Sequence, residues 1–139
     1  MNIDLCLDAR LPPEELARLG LLAERHGLGT IWLASYLAGR DPWASLVPLA
    51  RASRSILMGP VAVNPYDTHP VRIATALLTL NQYAGGRARI VVGGGGEALQ
   101  ALSLPPDRRP LAVGECVRIL KGALRERPCR FDGRMFRGR

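Results

Sequence analysis

Aromatic side chains are scarce. Phe, Trp and Tyr make up only 5% of the 139 residues, so aliphatic side chains must build any core. Histidine occurs twice, at positions 26 and 69, and cysteine three times, at 6, 116 and 129, with no C-x-x-C spacing. Such scattered ligands make no metal site, and an odd set of thiols reads as reduced cysteines of a cytosolic protein rather than a disulfide framework. No apolar run approaches the ~20 residues that cross a bilayer. Asp4 and Asp8 exclude a secretory signal at the N-terminus. What remains fits one ordinary domain, 47% apolar and 22% charged, so it is neither disordered nor a multidomain machine.

The charge is uneven. The net +7 falls entirely in residues 108–139, while residues 1–107 balance to zero. A basic end can serve nucleic acid or acidic lipid. Here Pro110, apolar helix positions and an Asp-Gly turn interrupt the basic residues, so a solvated surface is expected, with neither a membrane nor a nucleic-acid partner.

Residues 2–8 alternate polar and apolar and predict a strand. Pro12-Pro13-Glu14-Glu15 opens a helix whose apolar stripe is Leu16, Leu19, Leu22 and Ala23, stopped by Gly27. Residues 29–34 form a second strand. Asp41-Pro42 caps a second helix to about Ser53, and residues 56–63 form a third strand ending at Asn64-Pro65. Thr68-His69-Pro70 opens a helix through Tyr83. Residues 89–92 predict a fourth strand running into Gly93-Gly94-Gly95-Gly96, and a helix follows over about residues 110–125. An Asp-Gly pair at 132–133 predicts a hairpin over residues 130–136. Apolar strands alternating with helices imply a parallel α/β sheet, either doubly wound or part of a (β/α)8 barrel. Active groups in both sit at the C-terminal strand ends: Asp8, Ala34-Ser35-Tyr36, Val63-Asn64-Pro65 and the glycine run.

The four glycines allow close backbone approach and leave N–H groups for an anion. They lack the Gly-Lys-Ser/Thr of a Walker loop. They fit the dinucleotide fingerprint only loosely, with no following strand that ends in an acid. A tight turn and a cofactor-adjacent loop both remain open. Glu97 is either a solvated carboxylate or a proton donor or acceptor at a strand end. His69 is either a capping residue or a neutral ligand contact. No nucleophile elbow and no Ser/His/Asp set is present.

The run Met58-Gly59-Pro60-Val61-Ala62-Val63-Asn64-Pro65-Tyr66-Asp67-Thr68-His69-Pro70 resembles the bacterial-luciferase-like oxidoreductases, above all their deazaflavin-dependent, methylenetetrahydromethanopterin reductase-like branch. Asp41-Pro42-Trp43, Ala74, Thr79-Leu80, Gly86-Arg87, Gly96-Glu97 and Phe131-Asp132-Gly133-Arg134-Met135-Phe136 extend the resemblance over nearly the whole chain. It implies the N-terminal half, about four βα units, of a TIM (β/α)8 barrel. Residues 1–139 would be a single luciferase-like domain, truncated, with a basic C-terminal segment 108–139. It further implies a bulge with a non-prolyl cis peptide at Val61-Ala62. Ser35, Val61, Ala62, Asn64, Thr68, Gly95 and Gly96 would hold a cofactor, and Glu97 and His69 would be catalytic.

Two departures stand out. Where the deazaflavin enzymes end their second strand in an Asp-His-like pair, this chain has Ser35-Tyr36. A complete barrel also needs about 250 residues. The expected function is hydride transfer between coenzyme F420 and a small organic substrate, in a homodimer or with a second half-barrel chain. The alternatives are an FMN-dependent monooxygenase of the same family and a non-catalytic half-barrel that binds a partner protein.

Overall fold

The computed structural model describes residues 3–125 and 130–138, which leaves out Asn2 of the first predicted strand and Cys129. The chain packs as two compact units, Met1–Ala62 with Thr79–Val91, and Val63–Leu78 with Val92–Arg139.

The first unit holds β1 (Leu5–Leu7), α1 (Pro13–Arg25), β2 (Thr30–Ala34), α2 (Pro42–Ala52) and β3 (Leu57–Val61). The strands are parallel in the order β1-β2-β3, with Leu5 opposite Ile31 and Leu33 opposite Pro60. Pro13 occupies the first turn of α1, and Glu14 and Glu15 complement the helix dipole there. Leu16, Gly20 and Ala23 form the buried line of α1. Leu22, predicted on that stripe, is instead 38% exposed, because the line runs through positions 16, 20 and 23 and leaves Leu22 to one side. Asp41 caps α2 by accepting from the Ala44 N–H at 2.7 Å. Ile31, Leu33, Leu46, Leu49 and Met58 are fully buried. Each stabilises the fold by roughly 1.5–3 kcal/mol.

The predicted fourth strand, residues 89–92, forms no ladder. In the first unit its segment meets β3 through one parallel bridge, Met58 opposite Ala88. The Met58 N–H donates to the Arg87 carbonyl, and the Arg89 and Val91 N–H groups donate to the Met58 and Pro60 carbonyls. The next bond of a parallel ladder would be donated by the nitrogen of residue 60, and Pro60 has no N–H. Gly59 permits the close approach there: a Cβ at position 59 would stand 1.9 Å from the Arg89 carbonyl oxygen.

Two side chains fix how β3 begins. One Glu24 carboxylate oxygen accepts the N–H groups of Arg54, Ser55 and Ile56 at 2.6–2.9 Å and the Ser55 hydroxyl at 2.9 Å. Burial alone would raise this carboxyl, but the three backbone donors and the hydroxyl outweigh it and hold it at about 2. Arg87 donates to the Ser53 hydroxyl and to the carbonyls of Ile56, Ala50 and Ser53 at 2.7–3.1 Å, capping the end of α2.

The second unit contains α3 from Pro70 through Leu78 (the whole helix, Pro70–Tyr83, crosses into the first unit), α4 (Glu97–Ala101), α5 (Arg109–Arg125), β4 (Phe131–Asp132) and β5 (Arg137–Gly138). Val63 bridges Val92 in parallel, and the Gly93 N–H donates to the Val63 carbonyl at 2.8 Å. The short α4 was not predicted. Its Leu99 is buried against Gly95, whose φ of +77° suits glycine and where a Cβ would stand 2.1 Å from Leu99 Cδ1.

The hairpin spans residues 131–138 rather than 130–136, pairing Phe131 with Gly138 and Asp132 with Arg137. Arg134, Met135 and Phe136 form the turn instead of a strand, because their N–H groups donate to the buried Glu115 carboxylate at 2.8–3.1 Å. Burial pushes the Glu115 carboxyl up, and these three donors bring it below its ordinary value.

Two outcomes follow for stability. Glu24→Gln should cost about 1–3 kcal/mol in urea unfolding at neutral pH, since it weakens a charge-assisted cluster. In the wild type this contribution is complete above the ordinary carboxyl value of 4.5 and fades as pH falls through about 2, so the variant should lose less stability than the wild type across that window. Arg87→Lys should destabilise almost as much as Arg87→Ala, because an ammonium cannot reach four acceptors arranged for a planar fork. Equal stability of Arg87→Lys and wild type would refute that account.

Candidate functional site

In the first unit the strand ends carry a charged network. The Asp8 carboxylate accepts the Arg10 backbone N–H at 2.9 Å, the Arg10 guanidinium at 2.6–3.2 Å, and the Tyr36 hydroxyl. The Arg10 side chain, then the Tyr36 hydroxyl, then the Arg10 N–H hold the Asp8 carboxyl well below the usual range. Conversely, the hydrogen bond to Asp8 raises the Tyr36 phenol, and burial adds to this. The two loops are stitched by Arg40 N–H donating to the Ala9 carbonyl at 2.9 Å. Asp8 and Tyr36 were visible as separate strand ends, but they are 28 residues apart and only the β1-β2 register joins them. Ser35 N–H donates to the Val61 carbonyl at 2.9 Å, so this residue is held by its backbone against the end of β3. The Val61–Ala62 peptide is cis, Val61 is half-buried and Ala62 is exposed.

In the second unit the Val63–Val92 bridge sets the loop of residues 64–69 beside the glycine run. Asn64 is buried, and its side chain organises that loop: Oδ1 accepts the N–H groups of Tyr66 and Asp67, and Nδ2 donates to Asp67 at 2.6 Å. Tyr66 donates its hydroxyl to the Asp107 carbonyl. Thr68 is half-buried and His69 exposed. His69 Nδ1 accepts the Val71 N–H at 3.3 Å, and its ring meets Phe136 edge-on at 5.6 Å and Phe131 at 6.3 Å.

The amides of Gly94, Gly95 and Gly96 have no acceptor among the described residues. Three successive free donors can receive the acceptor edge of a ligand. Glu97 follows them as the first residue of α4, exposed and without an ion pair or hydrogen-bond partner in its side chain among the described residues. Arg109 was not singled out from the sequence. Its stem runs 3.3–3.5 Å from where a Cβ at position 94 would stand, and its guanidinium has no partner among the described residues. Nothing in the local sequence signals this contact.

A pocket of about 210 Å³ sits between α5 and the hairpin, lined by Arg118, Ile119, Phe131 and Phe136 among others. The buried Cys116 thiol is pushed up to about 11 by burial, which makes it a poor nucleophile. Among the described residues no group of three or more His, Cys, Asp or Glu could hold a metal ion, and no helix is long and apolar enough to cross a membrane.

The chain is 28% identical over 117 residues to 5,10-methylenetetrahydromethanopterin reductase of Archaeoglobus fulgidus, covering 84% of this chain and 35% of that protein. It thus spans little more than a third of the length of such curated relatives. The structure of the coenzyme F420 dependent tetrahydromethanopterin reductase from Methanopyrus kandleri superposes with a TM-score of 0.93 at 24% identity, over 99% of this chain and 44% of that one. The oxygenating constituent of 3,6-diketocamphane monooxygenase of Pseudomonas putida, in complex with FMN, superposes with a TM-score of 0.78 at 17% identity, over 99% of this chain and 44% of that chain. The α/β fold with its parallel sheet is therefore the first half of a (β/α)8 barrel. The profile of the luciferase-like monooxygenases matches residues 3–139, and the chain belongs to that family.

Proposed function

We propose that this chain carries half of the cofactor site of an oxidoreductase that moves a hydride between a deazaflavin of the F420 type and a small organic substrate. One observation carries the reading: the amides of Gly94–Gly96, without partners among the described residues, stand beside the Asn64–His69 loop, at the C-terminal ends of neighbouring strand segments. F420-dependent relatives support it.

The donor set fits a planar heterocycle with acceptor atoms on its edge, since backbone N–H groups offer fixed donors without bulk. Gly95 and Gly96 would admit it, Asn64 would keep the loop in shape, and Thr68 and His69 would offer polar contacts. When bound, the deazaflavin supplies the carbon that accepts or gives the hydride. Glu97 would hold or release the accompanying proton. A second copy, or a chain supplying the other half of the barrel, would complete the pocket: among the described residues β1 pairs only with β2 and leaves its outer edge open.

Equilibrium titration of the full chain with F420, followed by cofactor fluorescence, tests the reading, and micromolar or tighter binding is expected. Failure of a folded chain to bind either F420 or FMN would reject it. Glu97→Gln should lower turnover by about 10²–10⁴-fold while leaving cofactor affinity unchanged, and unaltered turnover would remove Glu97 from the chemistry.

A second reading, an FMN-dependent monooxygenase, is favoured by Arg109. A guanidinium without a partner among the described residues, on a stem that packs along Gly94, suits a phosphate. On this reading FMN binds more tightly than riboflavin, and Arg109→Gln abolishes the difference. Equal affinities in the wild type would remove the support.

A further inference from the structure

Glu115 draws the N–H groups of residues 134–136 onto one buried carboxylate, which fixes the turn. Phe131 enters that turn and Phe136 leaves it. Both rings reach His69, Phe136 edge-on at an interplanar angle of 89° and Phe131 tilted at 43°. The imidazole is therefore held by two aromatic neighbours and by one hydrogen bond, in which Nδ1 is the acceptor from the Val71 N–H. A neutral imidazole that accepts at Nδ1 carries its hydrogen on Nε2. No partner for Nε2 occurs among the described residues, and His69 is exposed.

We propose that His69 acts as a fixed Nε2–H donor to an acceptor oxygen or nitrogen of the ligand, rather than as a base, and that Phe131 and Phe136 are positioning residues for it. The ligand class follows from the hydrogen: the group opposite His69 is a carbonyl, a ring nitrogen or an oxyanion, not a second N–H donor. This rests on the reading that the Asn64–His69 loop faces a ligand. The alternative role, proton abstraction, needs a free lone pair directed at the ligand. The lone pair is on Nδ1 and is engaged by the backbone of α3. Two rings packed on the imidazole also oppose the rotation that would exchange the two nitrogens.

Nitrogen-15 NMR of the full chain tests this, with His26→Gln used to assign the two histidines. The expected result is a single Nε2–H tautomer for His69, with ring protons displaced by the ring current of Phe136. Phe136→Leu should abolish that displacement and mix the tautomers, and Phe136→Tyr should restore the wild-type signals. In parallel, affinity for F420 or FMN should fall about five- to tenfold in Phe136→Leu, on the scale of one hydrogen bond, and recover in Phe136→Tyr. An Nδ1–H tautomer in the wild type would overturn the proposal. So would His69 signals and affinity that are unchanged in Phe136→Leu. If the wild type binds neither cofactor, the ligand reading fails. The NMR then still decides whether the hairpin positions His69. Urea unfolding of each variant separates lost folding from lost positioning.

Discussion

The carboxylate of Glu24 gathers the amide protons of three successive residues just before β3, and β3 is the strand on which the first unit is organised. It pairs with β2 on one side and meets the segment around Ala88 on the other. Without an acceptor, the N–H groups of Arg54, Ser55 and Ile56 would be left unsatisfied where the chain turns into the sheet. The Arg87 guanidinium does the complementary work on the carbonyls of the same turn. One anion and one cation thus set the start of β3, and with it where Gly59, Pro60 and Val61 come to lie.

The second unit repeats the device with Glu115, a buried acid that accepts three consecutive N–H groups from the hairpin turn. The entry to β3 and the hairpin turn are thus each held by a carboxylate reaching from a helix. The glycine run has no such acceptor: its amides after Gly93 meet no side chain and no carbonyl among the described residues. The chemistry proposed for Glu97 and His69 depends on those donors facing a ligand.

Much of the architecture was legible in local pattern. Pro13 with Glu14 and Glu15, Asp41 with Pro42, and Pro70 each announced a helix start that the structure places at or next to that residue. The alternation of apolar strands with helices pointed to a parallel sheet, and the resemblance carried by Met58–Pro70 pointed to the family. The incomplete fourth strand had its cause in plain sight at Pro60, but a missing N–H matters only once the partner segment is known. The hairpin register was misplaced for a similar reason. An Asp-Gly pair sets the turn when nothing else competes, and here Glu115, 19 residues before Arg134, competes for its amides.

Local order came from the sequence by itself: which segments become helix or strand, and in what succession, because periodicity, caps and proline act within a few residues. Tertiary structure alone decided the partners. Asp8 meets Tyr36, His69 meets Phe131 and Phe136, and Arg109 lies along Gly94. These contacts join residues far apart in the chain, and their geometry exists only after the strands have chosen their register and the helices their faces. A side chain's charge and donor count are written in the sequence, but the atom each donor finds is a property of the folded chain.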